Sequence, residues 1–194
     1  MAHYFSDQPS IASKRASVAL VLPDLSLTLT TDRGVFSHGA IDVGTKLLLQ
    51  EATAPHGPNA VDLGCGYGPI ACVLARRAPD ATVWAVDVNE RARELCALNA
   101  AGLTNVRVIE PAEWPEGLTV DTLWSNPPIR VGKAELHALL TTWLARLSPD
   151  GSAVLVVQRH LGADSLANWV ETLGFEVTRL CSRQGYRLLR VAHR

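Results

Sequence analysis

Apolar and polar residues fall in blocks along this chain, and the period of the blocks switches repeatedly between two and about 3.6. Val18-Ala-Leu-Val-Leu22 and Leu25-Ser-Leu-Thr-Leu-Thr30 flank Pro23-Asp24, and the second run alternates apolar with polar, so the pair predicts a β-hairpin. Residues 31–39 read as a loop. Ile41, Val43, Leu47, Leu48 and Leu49 then predict a helix running to about Ala54, ended by Pro55-His-Gly-Pro58.

From Asn59 onward strands and helices alternate regularly. Short apolar runs at 60–63, 82–86, 106–109, 120–124 and 153–157 read as strands. Helical patterns fall around 70–77, from a cap at Asn89 to about 101, at 133–147 and at 163–173. Two last strands, 175–180 and 186–191, are joined by the tight Arg183-Gln-Gly185 connection, too short for a parallel crossover. The prediction is an α/β domain with a seven-stranded, mostly parallel sheet and one antiparallel strand, preceded by a β-hairpin and a helix.

Composition adds boundaries rather than chemistry. At 194 residues, with 47% apolar and 19% charged residues, the chain reads as one globular domain over 18–194 behind a polar, flexible tail at 1–17. No run approaches the roughly 18–20 apolar residues of a membrane span, and no basic region followed by an apolar core marks a signal peptide. Cys65, Cys72, Cys96 and Cys181 fall in no metal-ligand spacing. They read as small core residues in a reducing compartment, so no metal, no membrane and a cytoplasmic location are expected. The net charge is −1, yet the stretch from Arg179 to Arg194 holds five arginines and no acid. Two readings are open: a surface for phosphates, or the solvated outer face of the closing strands.

Candidate chemistry gathers at strand ends. Asp62 stands inside the first strand of the alternation, and Gly64, Gly66 and Gly68 follow it at every second position. A strand, a glycine turn and a helix bring main-chain N–H groups against a ligand, because glycine allows positive φ and close backbone approach. A dinucleotide fingerprint would need a third glycine where Pro69 stands. An ionised Asp62 suits an ammonium or a water better than a pyrophosphate. Asp87 ends the second strand, nineteen residues after Gly68, where an acid can take both hydroxyls of a ribose. It supports an adenosine ligand without choosing between cofactors, and a helix N-terminal acid would look the same. Glu113 follows the third strand in a loop of ordinary composition.

Ser125-Asn-Pro-Pro-Ile129 narrows the choice. Two prolines make a rigid turn at the end of the fourth strand. The side-chain carbonyl of Asn126 and an adjoining main-chain carbonyl can accept both hydrogens of a planar amino group. Its lone pair is then turned out of conjugation and toward a methyl sulfonium, an in-line displacement that needs position more than acid or base strength.

The acid with its glycine turn resembles the cofactor loop of class I S-adenosylmethionine (SAM) methyltransferases, a Rossmann-like fold. Phe36-Ser-His-Gly-Ala-Ile-Asp-Val-Gly-Thr-Lys-Leu-Leu-Leu49, the 61–68 loop and Ser125-Asn-Pro-Pro128 together resemble the small methyltransferase domain. That domain is the catalytic half of bacterial 16S and 23S ribosomal RNA guanine-N2 methyltransferases. The likeness covers residues 18–191.

The resemblance implies a SAM site formed by Phe36, Asp42, Gly44, Thr45, Asp62, Gly64, Cys65, Gly66, Gly68, Asp87, Val88, Ala112, Glu113 and Asn126. Asn126, Pro127 and Pro128 would hold the target amine. Ile129, Arg130, Lys133, Arg183 and Arg187 are the candidates for substrate contact, with ribosomal RNA or the small ribosomal subunit as partner. Two departures bear on the target. The rRNA enzymes carry a further N-terminal domain, and Ile129 stands where the family has an aromatic residue that stacks on the base. Stacking on a base is worth roughly 1–3 kcal/mol, so Trp124, Trp114 or Tyr67 would have to supply a ring from elsewhere. Methylation of a protein glutamine or a small-molecule amine, and a non-catalytic SAM-binding RNA accessory, are the alternatives. A nicotinamide enzyme is disfavoured by Pro69.

Overall fold

The computed structural model describes residues 12–37 and 39–194. Most of the expected tail and His38 of the Phe36 motif lie outside them. Ala16–Val21 (β1) and Ser26–Thr31 (β2) pair antiparallel as a separate two-stranded sheet. Val18, Leu20, Leu27 and Leu29 face inward while their neighbours are exposed, the period-two pattern of a half-buried hairpin. The hairpin begins before the expected boundary at 17. Ser13 and Lys14 are tied to the buried carboxylate of Asp32, so this part of the expected tail is docked on the domain.

Helix Val43–Glu51 (α1) follows, shorter at both ends than its apolar pattern predicts. Asp42 caps it by accepting from the Thr45 N–H at 2.9 Å, which fixes where helical backbone starts. The alternation then runs Asn59–Leu63 (β3), Pro69–Arg77 (α2), Thr82–Val86 (β4), Glu90–Asn99 (α3), Val106–Ile109 (β5) and Val120–Ser125 (β6). It continues with Lys133–Leu144 (α4), Leu147–Gln158 (β7), Ala163–Thr172 (α5), Phe175–Arg183 (β8) and Tyr186–His193 (β9). Spatial order in the large sheet is β5-β4-β3-β6-β7-β9-β8. Strands β3 to β7 pair in parallel, and β9 runs antiparallel to both its neighbours, β7 and β8. The β8–β9 turn places Gln184 at φ 52° and Gly185 at φ 80°, the two positive values that a two-residue hairpin matched to strand twist requires.

Alternate residues of the strands feed two cores. Trp124 packs with Leu48, Leu49, Ile70, Val73 and Leu74 on the face covered by the hairpin, α1, α2 and α3. Leu123, one residue earlier, packs with Leu140, Trp143, Leu144 and Leu155 on the face covered by α4 and α5. Helix α4 stops at Leu144, three residues short of the expected end. Leu147 joins β7 opposite Val120, and the chain bulges between there and Ser152, which pairs with Thr122. Ser148-Pro-Asp-Gly151 is therefore a bulge inside the strand, and Gly151 lies so close to the Val120 carbonyl that a Cβ would meet its oxygen at 2.5 Å. Every parallel strand ends at the same sheet edge. Asp62, the glycine turn, Asp87 and Asn126 stand at or just past those ends, as the topology of open α/β sheets leads one to expect for ligand sites.

Candidate functional site

Asp62 is fully buried at the end of β3. Its Oδ2 accepts from the Ala71 N–H of α2 at 2.8 Å, while Oδ1 has no hydrogen-bond partner among the described residues. Burial pushes its carboxyl up to about 8, with the nearby charge of Asp87 adding to the shift. A buried carboxylate oxygen left without a donor is costly unless a cation or donor reaches it. Gly64, Gly66 and Gly68 hold φ of 76°, 55° and 89°. A Cβ at Gly64 or Gly66 would meet nothing within 4 Å, so the turn borders open space, whereas at Gly68 it would lie 2.7 Å from Cys96 Sγ. Pro69 occupies the first helical position of α2, where its missing N–H costs nothing. Cys65 is buried in this turn, and the Cys96 thiol and burial together raise its pKa well above the ordinary range.

The end of β4 folds back onto the same turn. Gly66 N–H donates to Asp87 Oδ2 at 2.9 Å and Asn89 N–H to Oδ1 at 2.9 Å. Burial raises the Asp87 carboxyl, opposed by those two N–H groups and by the charge of Arg93. Arg93 also donates to the carbonyls of Asp87 and Val88, so the main chain here is pinned from α3 while the Val88 side chain is exposed. Past β5, Glu113 accepts from the Glu110 N–H at 2.8 Å and closes a short 3-10 turn, Pro111–Glu113, with Ala112 exposed on it. The Glu113 carboxylate is thus engaged in its own turn.

Asn126 follows β6, the strand beside β3, and Ser125 Oγ donates to the Leu63 carbonyl at 2.7 Å. The Asn126 amide nitrogen donates to Asp42 Oδ2 at 2.8 Å and to Thr45 Oγ1 at 3.0 Å, both from the start of α1. The Pro127 carbonyl accepts from the Ile129 N–H at 2.8 Å around Pro128, whose φ of −74° and ψ of 73° define an inverse γ-turn. Gly44 is packed against Tyr186, where a Cβ would stand 2.6 Å from the ring, and Gln158 donates to the Tyr186 hydroxyl at 2.8 Å. Asp42 and Thr45 therefore meet Asn126, through hydrogen bonds that the family resemblance, which puts all three in one site, does not specify. Phe36 is exposed in the loop before them.

Beyond the prolines a cleft of about 130 Å³ opens between Ile129, Lys133 and His137 on one side and Leu161, Ser165 and Leu166 on the other. Lys133 is exposed where it lines the cleft, and Arg130, next to Ile129 in sequence, is exposed as well. The rings considered as substitutes for an aromatic at Ile129 are placed otherwise. Trp124 and Tyr67 are core residues at 1% and 2% exposure, and Trp114 packs edge-on between Trp84 and Trp143. The arginine-rich end is no single patch either. Arg187 is mostly buried and ion-paired with Asp164, Arg183 is paired with Glu51, and Arg194 reaches the Phe175 carbonyl at the far end of the sheet. Side chains on a strand alternate faces and advance about 3.3 Å per residue, which scatters a run of charge.

One positioning residue escaped the sequence reading altogether. Asn99, at the end of α3, bonds both the N–H and the carbonyl of Thr30 at 2.7 Å and the Tyr67 carbonyl at 2.8 Å. Its amide stands in for a strand edge and clamps hairpin, glycine turn and helix together. Among the described residues no group of three or more His, Cys, Asp or Glu is arranged to hold a metal, and no helix is long and apolar enough to cross a membrane.

An uncharacterized protein of Bacillus subtilis, YbxB, is 35% identical over 194 residues, covering 97% of this chain and 96% of its own. Ribosomal RNA small subunit methyltransferase C of Hahella chejuensis is 33% identical over 159 residues, with 75% of this chain and 44% of that protein covered. The fold is that of the T. thermophilus 16S rRNA N2 methyltransferase RsmC, solved with AdoMet and guanosine, at a TM-score of 0.78 and 24% identity. That match covers 96% of this chain and 52% of the other, so the chain spans about half the length of these two rRNA enzymes. The family model for the methyltransferase small domain matches residues 26–190, and the chain belongs to that family.

Proposed function

We propose that this protein is a SAM-dependent N-methyltransferase whose target is the exocyclic N2 of a guanine in ribosomal RNA. One observation carries the reading. Asn126 stands beside the glycine turn with both amide hydrogens engaged by Asp42 and Thr45, and its carbonyl oxygen is without a partner among the described residues. That oxygen and the second lone pair of the Pro127 carbonyl are two acceptors within one rigid turn, as a planar –NH2 requires.

The residues around the glycine turn fit SAM. The unpartnered Asp62 Oδ1 suits an ammonium, open space at Gly64 and Gly66 admits a ligand against the main chain, and Asp87 keeps lone pairs for hydroxyls. Bound there, SAM supplies an electrophilic methyl group. Asn126 and Pro127 accept the two N–H hydrogens of the target and so direct its lone pair. No side chain at the turn is needed as a strong base, since the amine sheds its proton to water after the bond forms. Asn126 is a catalytic residue in this reading, acting by orientation.

A guanine target is supported by the rRNA methyltransferase relatives and by two exposed cations, Arg130 and Lys133, beside the prolines. The alternative, a protein or small-molecule amine, draws on Ile129, whose aliphatic side chain stacks poorly on a base. Tritiated-methyl transfer from SAM into fractionated RNA and protein of cells lacking the gene separates the two. Label in rRNA, recovered as N2-methylguanosine and absent with Asn126→Ala, is the expected outcome. Label in the protein fraction overturns the RNA assignment.

A further inference from the structure

We infer that Asp42 and Thr45 are positioning residues for Asn126, fixing which end of its amide faces the target amine. The inference rests on the reading of Asn126 given above and reassigns two residues that the family resemblance places in the cofactor site. A side-chain amide is nearly symmetric in shape, and a half-turn about its last bond exchanges C=O for NH2. Only one of the two orientations can accept from an amine. A carboxylate settles the matter because it is acceptor-only: Asp42 Oδ2, 2.8 Å from the Asn126 amide nitrogen, tolerates the N–H2 and repels the carbonyl. Thr45 Oγ1, at 3.0 Å, takes the second hydrogen. Flipped, Asn126 would set a carbonyl oxygen against a carboxylate oxygen and leave its NH2 turned toward the incoming amine, donor against donor.

The same oxygen of Asp42 also accepts from the Thr45 N–H at 2.9 Å. Helix capping and orientation of Asn126 are thereby one hydrogen-bond centre, and the first turn of α1 is locked to the end of β6 across 84 residues of sequence. The position of that turn is set from the other side. Gly44 presses on the Tyr186 ring, with no room for a Cβ, and the Tyr186 hydroxyl is held by Gln158 at the end of β7. Helix α1 therefore cannot slide away from Asn126 without disturbing β7 and β9.

Asp42→Ser separates the two duties. Serine is as good a helix cap as aspartate, but its shorter side chain cannot reach the Asn126 amide. The expected result is a kcat at least tenfold lower, with the SAM Kd and the melting temperature close to wild type. Asp42→Asn, whose carbonyl can accept from both the Thr45 N–H and Asn126, recovers most of the missing rate. Thr45→Val, isosteric and without the hydroxyl oxygen, lowers kcat in the same manner and serves should Asp42→Ser fail to fold. A readout that needs no turnover is the side-chain amide signal of Asn126 in 15N–1H correlation spectra of the protein alone. Both hydrogens are bonded in the wild type, and one shifts upfield and exchanges faster in Asp42→Ser. Loss of SAM affinity in place of kcat would overturn the inference and return Asp42 to the cofactor site. An Asp42→Ser enzyme with full kcat, beside an inactive Asn126→Ala, would overturn it while leaving the proposed function standing. An active Asn126→Ala would instead remove the reading beneath it.

Discussion

The main-chain N–H of Gly66 donates to the carboxylate of Asp87 across 2.9 Å, tying the glycine turn after β3 to the end of β4. The acid proposed for the ribose hydroxyls thus also holds the glycine turn in place. Asp87→Ala removes both functions at once. SAM binding measured by calorimetry is expected to weaken by about 1.5–3 kcal/mol, the range for hydrogen bonds to a charged group. NAD is expected not to bind either form, and unchanged SAM affinity in the mutant would show that Asp87 serves the loop alone.

Asp62 makes stability depend on pH, and its proposed contact with the SAM ammonium would make affinity do so too. Its folded-state pKa of about 8 lies above the ordinary value of 3.8, because burial penalises the charged form. A carboxyl raised in this way stabilises the fold fully below about pH 4, and that contribution is lost as pH rises toward 8. The slope is at most about 1.4 kcal/mol per pH unit for one proton. Without SAM, the wild type should lose stability to urea between pH 5 and pH 8 more steeply than Asp62→Asn, which has no such proton. The proposed ammonium contact needs the carboxylate, so on that proposal wild-type affinity should rise across the same window with proton release seen in buffers of different ionisation enthalpy. Parallel pH profiles for the two proteins would count against Asp62 as the ammonium partner.

Much of this was legible because it is local. The alternation of strand and helix follows from periodicity, and the glycine turn, Asp87 and Asn-Pro-Pro each sit within a few residues of the strand end that positions them. What stayed hidden depends on segments far apart in sequence. The family resemblance places Asp42 and Asn126 in one cofactor site, but nothing in the sequence around either shows that their side chains bond each other. Asn99 reads as one more polar helix residue until the hairpin is folded against it. The arginine run left two readings open because charge along a strand is counted in one dimension, while Asp164 and Glu51 approach Arg187 and Arg183 from other elements. Trp124 and Tyr67, considered as base-stacking rings, went to the core because each follows strand or turn geometry inward.

Glycines of the turn should divide by role. Gly68 holds φ of 89°, and a Cβ there would stand 2.7 Å from Cys96 Sγ and 3.3 Å from its Cα. Gly68→Ala therefore combines left-handed backbone strain with overpacking against α3, each on the order of 1–3 kcal/mol. Gly64→Ala meets no atom within 4 Å, so only the smaller backbone cost applies, about 1–2 kcal/mol. The expected pattern is strong loss of stability in denaturant for Gly68→Ala, and mild loss with disproportionate loss of SAM affinity for Gly64→Ala. Equal effects on stability and binding at both positions would contradict a division between packing and ligand approach.

The RNA assignment stands or falls on charge, and the structure redirects which charges to test. Arg187 is 14% exposed in its side chain and paired with Asp164, itself 70% exposed. A pair of this kind contributes no more than about 1 kcal/mol. Arg187→Gln should therefore lower the melting temperature by at most about 2–4 °C, the usual conversion for a domain of this size, and leave the KM for RNA nearly unchanged. Arg130 and Lys133 follow Asn-Pro-Pro, are exposed, and make no ion pair among those formed by the described residues. Phosphates flanking a base held at Asn126 would come within their reach. Removing one cation from a phosphate should flatten the dependence of log KM on log salt by roughly 0.7–0.9. Arg130→Gln and Lys133→Gln are accordingly expected to raise the KM for rRNA and reduce that slope, separately and additively, with SAM affinity and melting temperature held. Methyl transfer that is insensitive to salt in the wild type would remove ribosomal RNA as the substrate. A steep slope that neither substitution changes would keep RNA and move its phosphate contacts to another part of the surface.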